Sequence, residues 1–230
     1  MSKPALLFLH GALGASDQFA ALAPLLGDRY ELHLLDFEGH GPLPLPSRPF
    51  RIEHFAQNVR DYLDRHGIEQ ANIFGYSMGG FVACTLALTH PHLVGSIATL
   101  GTKYYWDQET AAHEVGMLDP EKIAAKVPRY AQALGERHTG AGWENVVTGT
   151  QSLLQDLGER GGLRPGSAAG VEHRVRVIIG DRDTTVTLAE SVDIFHALPN
   201  GQLEVLPNTP HPLEKVSPKR LAYSLTEFFG

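Results

Sequence analysis

The sequence predicts an α/β protein in which helices cover both faces of a mostly parallel sheet of about six strands. Two observations predict this class. Short apolar runs alternate with longer helical patterns along most of the 230 residues, and strands that alternate with helices form parallel sheets with right-handed crossovers. The hydrophobic fraction of 43% and the charged fraction of 20% are ordinary for a globular chain and argue against disorder.

Six apolar runs are predicted to be strands, in the ranges 5–9, 30–35, 71–74, 93–100, 175–179 and 202–206. The segment 52–66 is predicted to be a helix because Phe55, Val59 and Leu63 recur every four residues, which places them on one helix face. Four further helices are predicted between the strands, at 18–26, 78–89, 188–197 and 218–229.

One stretch, 103–170, contains no convincing strand and interrupts the alternation. It offers helical pieces around 108–115, 120–137 and 143–157, followed by a Gly-rich connector, 158–170. A long insertion without strands in a parallel sheet is most simply a functional element. We therefore expect a helical lid at 103–170, inserted into a core formed by 1–102 and 171–230.

Charge and composition exclude several classes of partner. With 19 Lys and Arg against 26 Asp and Glu, the net charge is −7, which disfavours nucleic acid or an anionic membrane as the main partner. A single Cys excludes a disulfide framework and suits a reducing compartment. No segment approaches the roughly 20 apolar residues that a membrane span needs. We expect a cytoplasmic protein with a small-molecule partner, and either a monomer or a homodimer.

The strongest motif is Gly-Tyr-Ser-Met-Gly-Gly at 75–80, which lies between the predicted strand 71–74 and the predicted helix 78–89. Such a tight strand-to-helix turn strains the backbone at Ser77, and the flanking glycines make room for it. The hydroxyl of Ser77 is then held at the positive end of the following helix. The pattern alone arises by chance in glycine-rich chains, but the strand before it and the helix after it make a nucleophilic serine the favoured interpretation.

A serine hydroxyl needs a base to remove its proton, so a histidine and an orienting carboxylate should follow in the chain. Among 12 histidines, His211 is distinguished by its loop, which lies between the last predicted strand and the last predicted helix. Asp183 follows the predicted strand 175–179. Loops beyond the carboxyl ends of parallel strands converge on one edge of the sheet, and the order Ser77, Asp183, His211 is that of one hydrolase architecture.

These features together resemble the α/β-hydrolase family. The resemblance covers nearly the whole chain apart from the expected lid, and it rests on four motifs: the turn 10–12, the loop 36–41, the elbow 75–80 and the late loops that carry Asp183 and His211.

The resemblance implies a role for each matched residue. Ser77 would be the nucleophile, His211 the general base and later acid, and Asp183 the carboxylate that orients the imidazole. The backbone N–H groups of Ala12 and Met78 would form the oxyanion hole, where one such donor is typically worth about 10²–10³ in rate. No cofactor and no metal are implied.

Three details depart from the family pattern or compete with it. Asp181 is a rival to Asp183, although the family's G-x-x-D spacing favours Asp183. Pro210 precedes His211 where the family usually has glycine, which could stiffen or displace the base. Two leading strands that are common in the family are not found before the first predicted strand, so the strand 30–35 is expected at an edge of the sheet.

The aromatic residues Tyr104, Tyr105 and Trp106 follow the predicted strand 93–100, where the expected lid leaves the sheet. They are predicted either to contact substrate or to pack inside the lid. Trp143 is a further side chain that could line an apolar cleft there.

Three functions remain open from sequence. The first is a serine esterase that acts on a small carboxylic ester or related acyl substrate through an acyl-enzyme. The second is a carbon–carbon bond hydrolase or a pyruvate-eliminating synthase of the same fold. The substrates of these enzymes carry carboxylates and would require a cationic residue in the cleft, which Arg129, Arg137 or Arg182 could supply. The third is a non-catalytic ligand-binding module, which has no physical need for a strained serine.

Overall fold

The sheet organises the whole structure. A computed structural model describes residues 3–230 and contains a six-stranded sheet in the order β2-β1-β3-β4-β5-β6, with every neighbouring pair parallel. The strands are β1 Ala5–Leu9, β2 Glu31–Leu35, β3 Ala71–Tyr76, β4 Val94–Leu100, β5 Arg174–Gly180 and β6 Asn200–Leu206. The predicted fold class, the number of strands and the edge position of the second strand are confirmed.

Helices cover both faces of the sheet. They are α1 Ile52–His66, α2 Met78–Thr89, α3 Gln108–Met117, α4 Pro120–Lys126, α5 Pro128–Arg137, α6 Trp143–Arg160, α7 Pro165–Ala168, α8 Leu188–Ala197 and α9 Pro218–Phe229. Side chains of β1 alternate between two apolar cores: Leu7 and Leu9 pack with α1, α2 and α8, whereas Leu6 and Phe8 pack with α9. Of the helices formed by residues 3–230, none is both long and apolar enough to cross a membrane.

Three predicted helices differ from the observed ones, and in two of them proline is the reason. The segment 18–26 contains only two short 3₁₀ turns, Ser16–Phe19 and Ala23–Leu25, because Pro24 lacks the N–H that a longer helix requires. The segment 120–137 divides at Val127, and Pro128 starts α5. The helix predicted at 143–157, α6, continues to Arg160 and ends where Gly161 adopts a left-handed conformation with φ of +92°.

The stretch 103–170, called the helical segment below, contributes α3 to α7 between β4 and β5. Its centre is α6, against which α3, α4 and α5 pack. Its beginning is tied to α8, because the buried carboxylate of Glu190 accepts hydrogen bonds from the N–H groups of Tyr104 (2.6 Å) and Tyr105 (2.8 Å). That this segment acts as a lid stays a prediction.

Candidate active site

Ser77 occupies the turn between β3 and α2 in a conformation that is rare for a residue with a side chain. Its φ of +51° and ψ of −117° lie outside the usual regions, and such strain costs on the order of 1–3 kcal/mol. A Cβ at Gly79 would overlap the backbone oxygen of Leu9, so this turn requires glycine at 79. The turn is further held by Ser77 N–H, which donates to Leu100 O at 2.8 Å, and by Thr102 Oγ1, which donates to Ser77 O at 3.0 Å.

His211 and Asp183 form a hydrogen-bonded pair beyond the ends of β6 and β5. Nδ1 of His211 lies 2.8 Å from Oδ2 of Asp183, whose side chain is only 2% exposed. The other carboxylate oxygen, Oδ1, accepts the N–H groups of Thr185 and Val186, each at 2.8 Å. The hydroxyl of Tyr76 also donates to the backbone oxygen of His211 at 3.1 Å. The carboxylate therefore orients the imidazole through Nδ1 while Tyr76 holds the backbone of His211, and Nε2 is left for another partner.

Asp181 and Pro210, the two complications in the sequence, do not disturb this pair. Asp181 is exposed, and its Oδ1 accepts the N–H of Thr209 at 3.1 Å rather than contacting His211. His211 reaches the carboxylate of Asp183 even though Pro210 precedes it.

Ser77 and His211 line the same cavity, which has a volume of about 530 Å³. The structure thus brings Ser77, His211 and Asp183 to one edge of the sheet, at the carboxyl ends of its parallel strands, and Ser77 lies next to the point between β1 and β3 where the strand order reverses. Among residues 3–230, a hydrogen bond links His211 to Asp183 but none links His211 to the Ser77 hydroxyl. Catalytic hydrogen bonds are often long in unliganded sites and tighten when substrate binds.

The two residues predicted to form the oxyanion hole flank Ser77. Ala12 lies in a tight turn in which Gly14 N–H donates to Gly11 O at 3.0 Å, and its own N–H finds no acceptor within residues 3–230. Met78 is the first residue of α2, so its N–H has no acceptor inside the helix. Both residues line the cavity, and two free backbone donors next to a nucleophile suit a developing oxyanion.

The cavity wall is mostly apolar, and its cations already have partners. Its apolar side chains come largely from α2, α6 and the loop before α3: Ile52, Met78, Phe81, Trp106, Met117, Leu118, Leu153, Leu154 and Leu157. Lys103 lies 3.7 Å from Glu190, and Arg137 lies 2.9 Å from Asp17. An uncharged ligand would fit this lining better than a carboxylate, because burying a charge without a partner is costly.

The aromatic side chains predicted to contact substrate are distributed between core and cavities. Trp106 lines the cavity that contains Ser77. Tyr104 is fully buried, with its hydroxyl 2.7 Å from Thr99 Oγ1, and Tyr105 lines a separate, smaller cavity. Trp143 packs at the border of the apolar core. Of these four side chains, only Trp106 lines the cavity that contains Ser77.

A cluster of buried histidines next to the site was not predicted as functional. The rings of His10 and His40 lie 5.0 Å apart, and those of His40 and His138 lie 5.7 Å apart. Burial lowers the pKa of all three, so they are neutral near pH 7. No group of three His, Cys, Asp or Glu side chains within residues 3–230 is arranged to hold a metal ion. The only indication of this cluster in the sequence is that His10 belongs to the turn 10–12, one of the four family motifs.

His40 predicts a dependence of stability on pH. Burial lowers the pKa of His40 from 6.5 to about 3. Between these two pH values His40 is therefore protonated in the unfolded chain but neutral in the folded chain. Its contribution to stability is therefore full above about pH 6.5 and is lost as the pH falls towards 3. Between about pH 7 and pH 5 this loss is about 2 kcal/mol.

Urea unfolding of the wild type and of His40→Phe at both pH values measures this effect. Phe keeps the ring that stacks on Phe50 with centroids 5.1 Å apart, but it cannot titrate. The loss of unfolding free energy on acidification should be smaller in the variant by about 2 kcal/mol. Equal losses in the two proteins would contradict the prediction.

A strained serine at the switch point of a parallel sheet, with a histidine–aspartate pair at the same cavity, is an arrangement typical of serine hydrolases. Residues 4–134 match the family described as alpha/beta hydrolase fold. The chain belongs to this family, and its described hydrolase relatives are consistent with an enzyme of the alpha/beta hydrolase fold.

Similar proteins include several hydrolases. The chain is 34% identical over 100 residues to the pimeloyl-[acyl-carrier protein] methyl ester esterase of Aeromonas hydrophila, covering 43% of this chain and 38% of that protein. It is 24% identical to the 2-(acetamidomethylene)succinate hydrolase of Mesorhizobium japonicum, covering 99% of this chain and 88% of that protein. The crystal structure of the enol-lactonase from Burkholderia xenovorans superposes with a TM-score of 0.82 at 17% identity, covering 100% of this chain and 92% of that one.

The matches of higher identity are partial. The chain spans only 27% to 38% of the length of the curated relatives that it matches at 31% to 34% identity.

Proposed function

We propose that the protein hydrolyses small, uncharged carboxylic esters through an acyl-enzyme on Ser77. One observation carries the proposal: a strained serine and an imidazole bonded to a buried carboxylate line a single, mostly apolar cavity. The methyl ester esterase among the similar proteins supports ester chemistry.

The proposed reaction has two halves. Ser77 Oγ attacks the ester carbonyl while His211 Nε2 takes its proton, and Asp183 stabilises the resulting imidazolium. The N–H groups of Ala12 and Met78 bind the tetrahedral oxyanion. His211 then gives the proton to the departing alcohol, which leaves the acyl group on Ser77. In the second half, His211 takes a proton from water as it attacks the acyl-enzyme, and returns that proton to Ser77 as the acid departs. No cofactor takes part.

The charges around the cavity support an uncharged substrate. The alternative reactions act on carboxylated substrates, which need a free cation in the cleft. Arg129 and Arg182 do not line the cavity, and Arg137, which does, is already paired with Asp17. A carbon–carbon bond hydrolase stays a second candidate because Arg137 is a cation on the cavity wall, although a carboxylated substrate would have to replace Asp17 as its partner. A burst of p-nitrophenol from p-nitrophenyl acetate supports the esterase, whereas turnover of a dienoic acid substrate without any acyl-enzyme supports the alternative.

The volume of the cavity predicts which acyl chains are accepted. About 530 Å³ with walls from α6 accommodates a medium-length acyl group such as hexanoyl. Leu157→Trp adds bulk at this wall, so we expect kcat/KM for p-nitrophenyl hexanoate to fall by about tenfold or more, a loss on the order of 1.4 kcal/mol. The value for p-nitrophenyl acetate should change by less than about threefold.

Leu188→Trp is the matched control, because Leu188 is 46% exposed and does not line the cavity. This control should leave the ratio of hexanoate to acetate activity unchanged. Equal losses with both esters in Leu157→Trp would show that the cavity does not hold the acyl chain.

A further inference from the structure

His138 makes two hydrogen bonds that join the helical segment to loops of the core. It follows α5, is 1% exposed, and lies with Nε2 3.0 Å from Leu13 O. Its Nδ1 accepts the N–H of Gly41 at 3.1 Å. Because Nδ1 accepts, the ring proton must be on Nε2, which donates to Leu13. One neutral imidazole therefore serves both the loop after β1 and the loop after β2.

Residues next to His138 also join the helical segment to the loops after β1 and β2. The guanidinium of Arg137 donates through Nε to both carboxylate oxygens of Asp17 at 2.9 and 3.1 Å, and through Nη1 to Leu13 O at 3.5 Å. Gly140 N–H also donates to Gly41 O at 3.3 Å. The end of α5 and the link between α5 and α6 thus hold both loops at several points.

The turn that receives these bonds is strained and lies against Ser77. Leu13 has a φ of +55°, a conformation that non-glycine residues keep only when their surroundings enforce it. A Cβ at Gly11 would lie 3.3 Å from the Cβ of Ser77, which shows how closely the turn approaches the serine. Ala12, whose N–H finds no acceptor within residues 3–230, lies between these two residues.

We infer that His138 is a positioning residue, which holds the turn 11–14 so that the N–H of Ala12 faces the oxyanion formed at Ser77. The inference rests on the proposed function for its catalytic part only. His138 does not touch the reacting atoms; it acts through Leu13. The arrangement needs the neutral imidazole, since a protonated ring could not accept from Gly41 N–H, and burial keeps the pKa of His138 below its usual range.

Two substitutions separate the hydrogen bonds from the bulk of the side chain. His138→Gln supplies one carbonyl acceptor and one amide donor, whereas His138→Leu supplies neither. Amide hydrogen exchange measured by NMR should show the Gly14 N–H exchanging about tenfold faster or more in His138→Leu, and within about threefold of wild type in His138→Gln.

The same variants give a kinetic measurement with p-nitrophenyl acetate. We expect His138→Leu to lower kcat by about 10–100-fold with KM within about threefold, because a displaced donor weakens binding of the transition state and not of the ester. His138→Gln should keep at least about a third of the wild-type kcat. Urea unfolding of each variant separates this effect from a general loss of stability.

Each result has a definite meaning. Unchanged exchange at Gly14 in His138→Leu, or equal kinetic losses in the two variants, would overturn the inference. A wild type that hydrolyses no ester and is not labelled by a fluorophosphonate would refute the proposed function, while the exchange rates would still decide whether His138 holds the turn. If His138→Leu does not fold, His138→Asn, whose shorter amide cannot span both partners, replaces it in the same comparison.

Discussion

Replacement of Ser77 by Ala is expected to lower kcat for p-nitrophenyl acetate by about 10⁴-fold or more, because the substitution removes the hydroxyl on which the acyl-enzyme forms. The residual rate would come from the oxyanion donors and from binding alone. Stability should change little, since the alanine would keep the same strained backbone that Ser77 has at φ +51°. Mass spectrometry after treatment with a fluorophosphonate should show one adduct on the wild type and none on Ser77→Ala.

Ser152→Ala is a matched control, because Ser152 is an exposed serine on α6 whose hydroxyl only donates to Thr148 O. This variant should retain wild-type turnover and the adduct. An adduct on Ser77→Ala would place the reactive nucleophile elsewhere, and a folded wild type without any adduct would favour the ligand-binding module.

Much of the fold could be predicted from sequence because it depends on local patterns. The apolar face of 52–66 and the motif before 78–89 predicted α1 and α2 with the bounds they have. The conformation predicted for Ser77 also follows from its immediate neighbours, Gly75 and Gly79. Such features require only residues that are close in the chain.

The features that sequence could not reveal depend on residues far apart in the chain. His138 contacts Leu13 across 125 positions, and no local pattern distinguishes it from the other histidines. Similarly, three consecutive aromatic residues gave no indication that Trp106 lines the cavity while Tyr104 is buried. That difference arises because Glu190, 86 positions from Tyr104, fixes the direction of the chain as it leaves β4.

Asp183→Asn is expected to lower kcat by about 10³–10⁴-fold while the fold is kept. The reason lies in the two oxygens of Asp183. Oδ1 accepts the N–H groups of Thr185 and Val186, so the amide oxygen of Asn must take that place, and its NH₂ group must replace Oδ2 opposite His211. An NH₂ group donates to Nδ1, which puts the ring proton on Nε2. The imidazole then cannot accept the proton of Ser77.

Asp181→Asn is the matched control for this change, since it removes a charge two residues away. Its amide oxygen can still accept the N–H of Thr209, so kcat should stay within about threefold of wild type. Steady-state kinetics of the two variants with p-nitrophenyl acetate therefore distinguish a carboxylate that orients His211 from a negative charge that merely lies near it. Of the two residues, only Asp183 contacts the imidazole. If Asp181→Asn lost as much activity as Asp183→Asn, the activity would therefore depend on negative charge near His211 and not on a carboxylate that orients it.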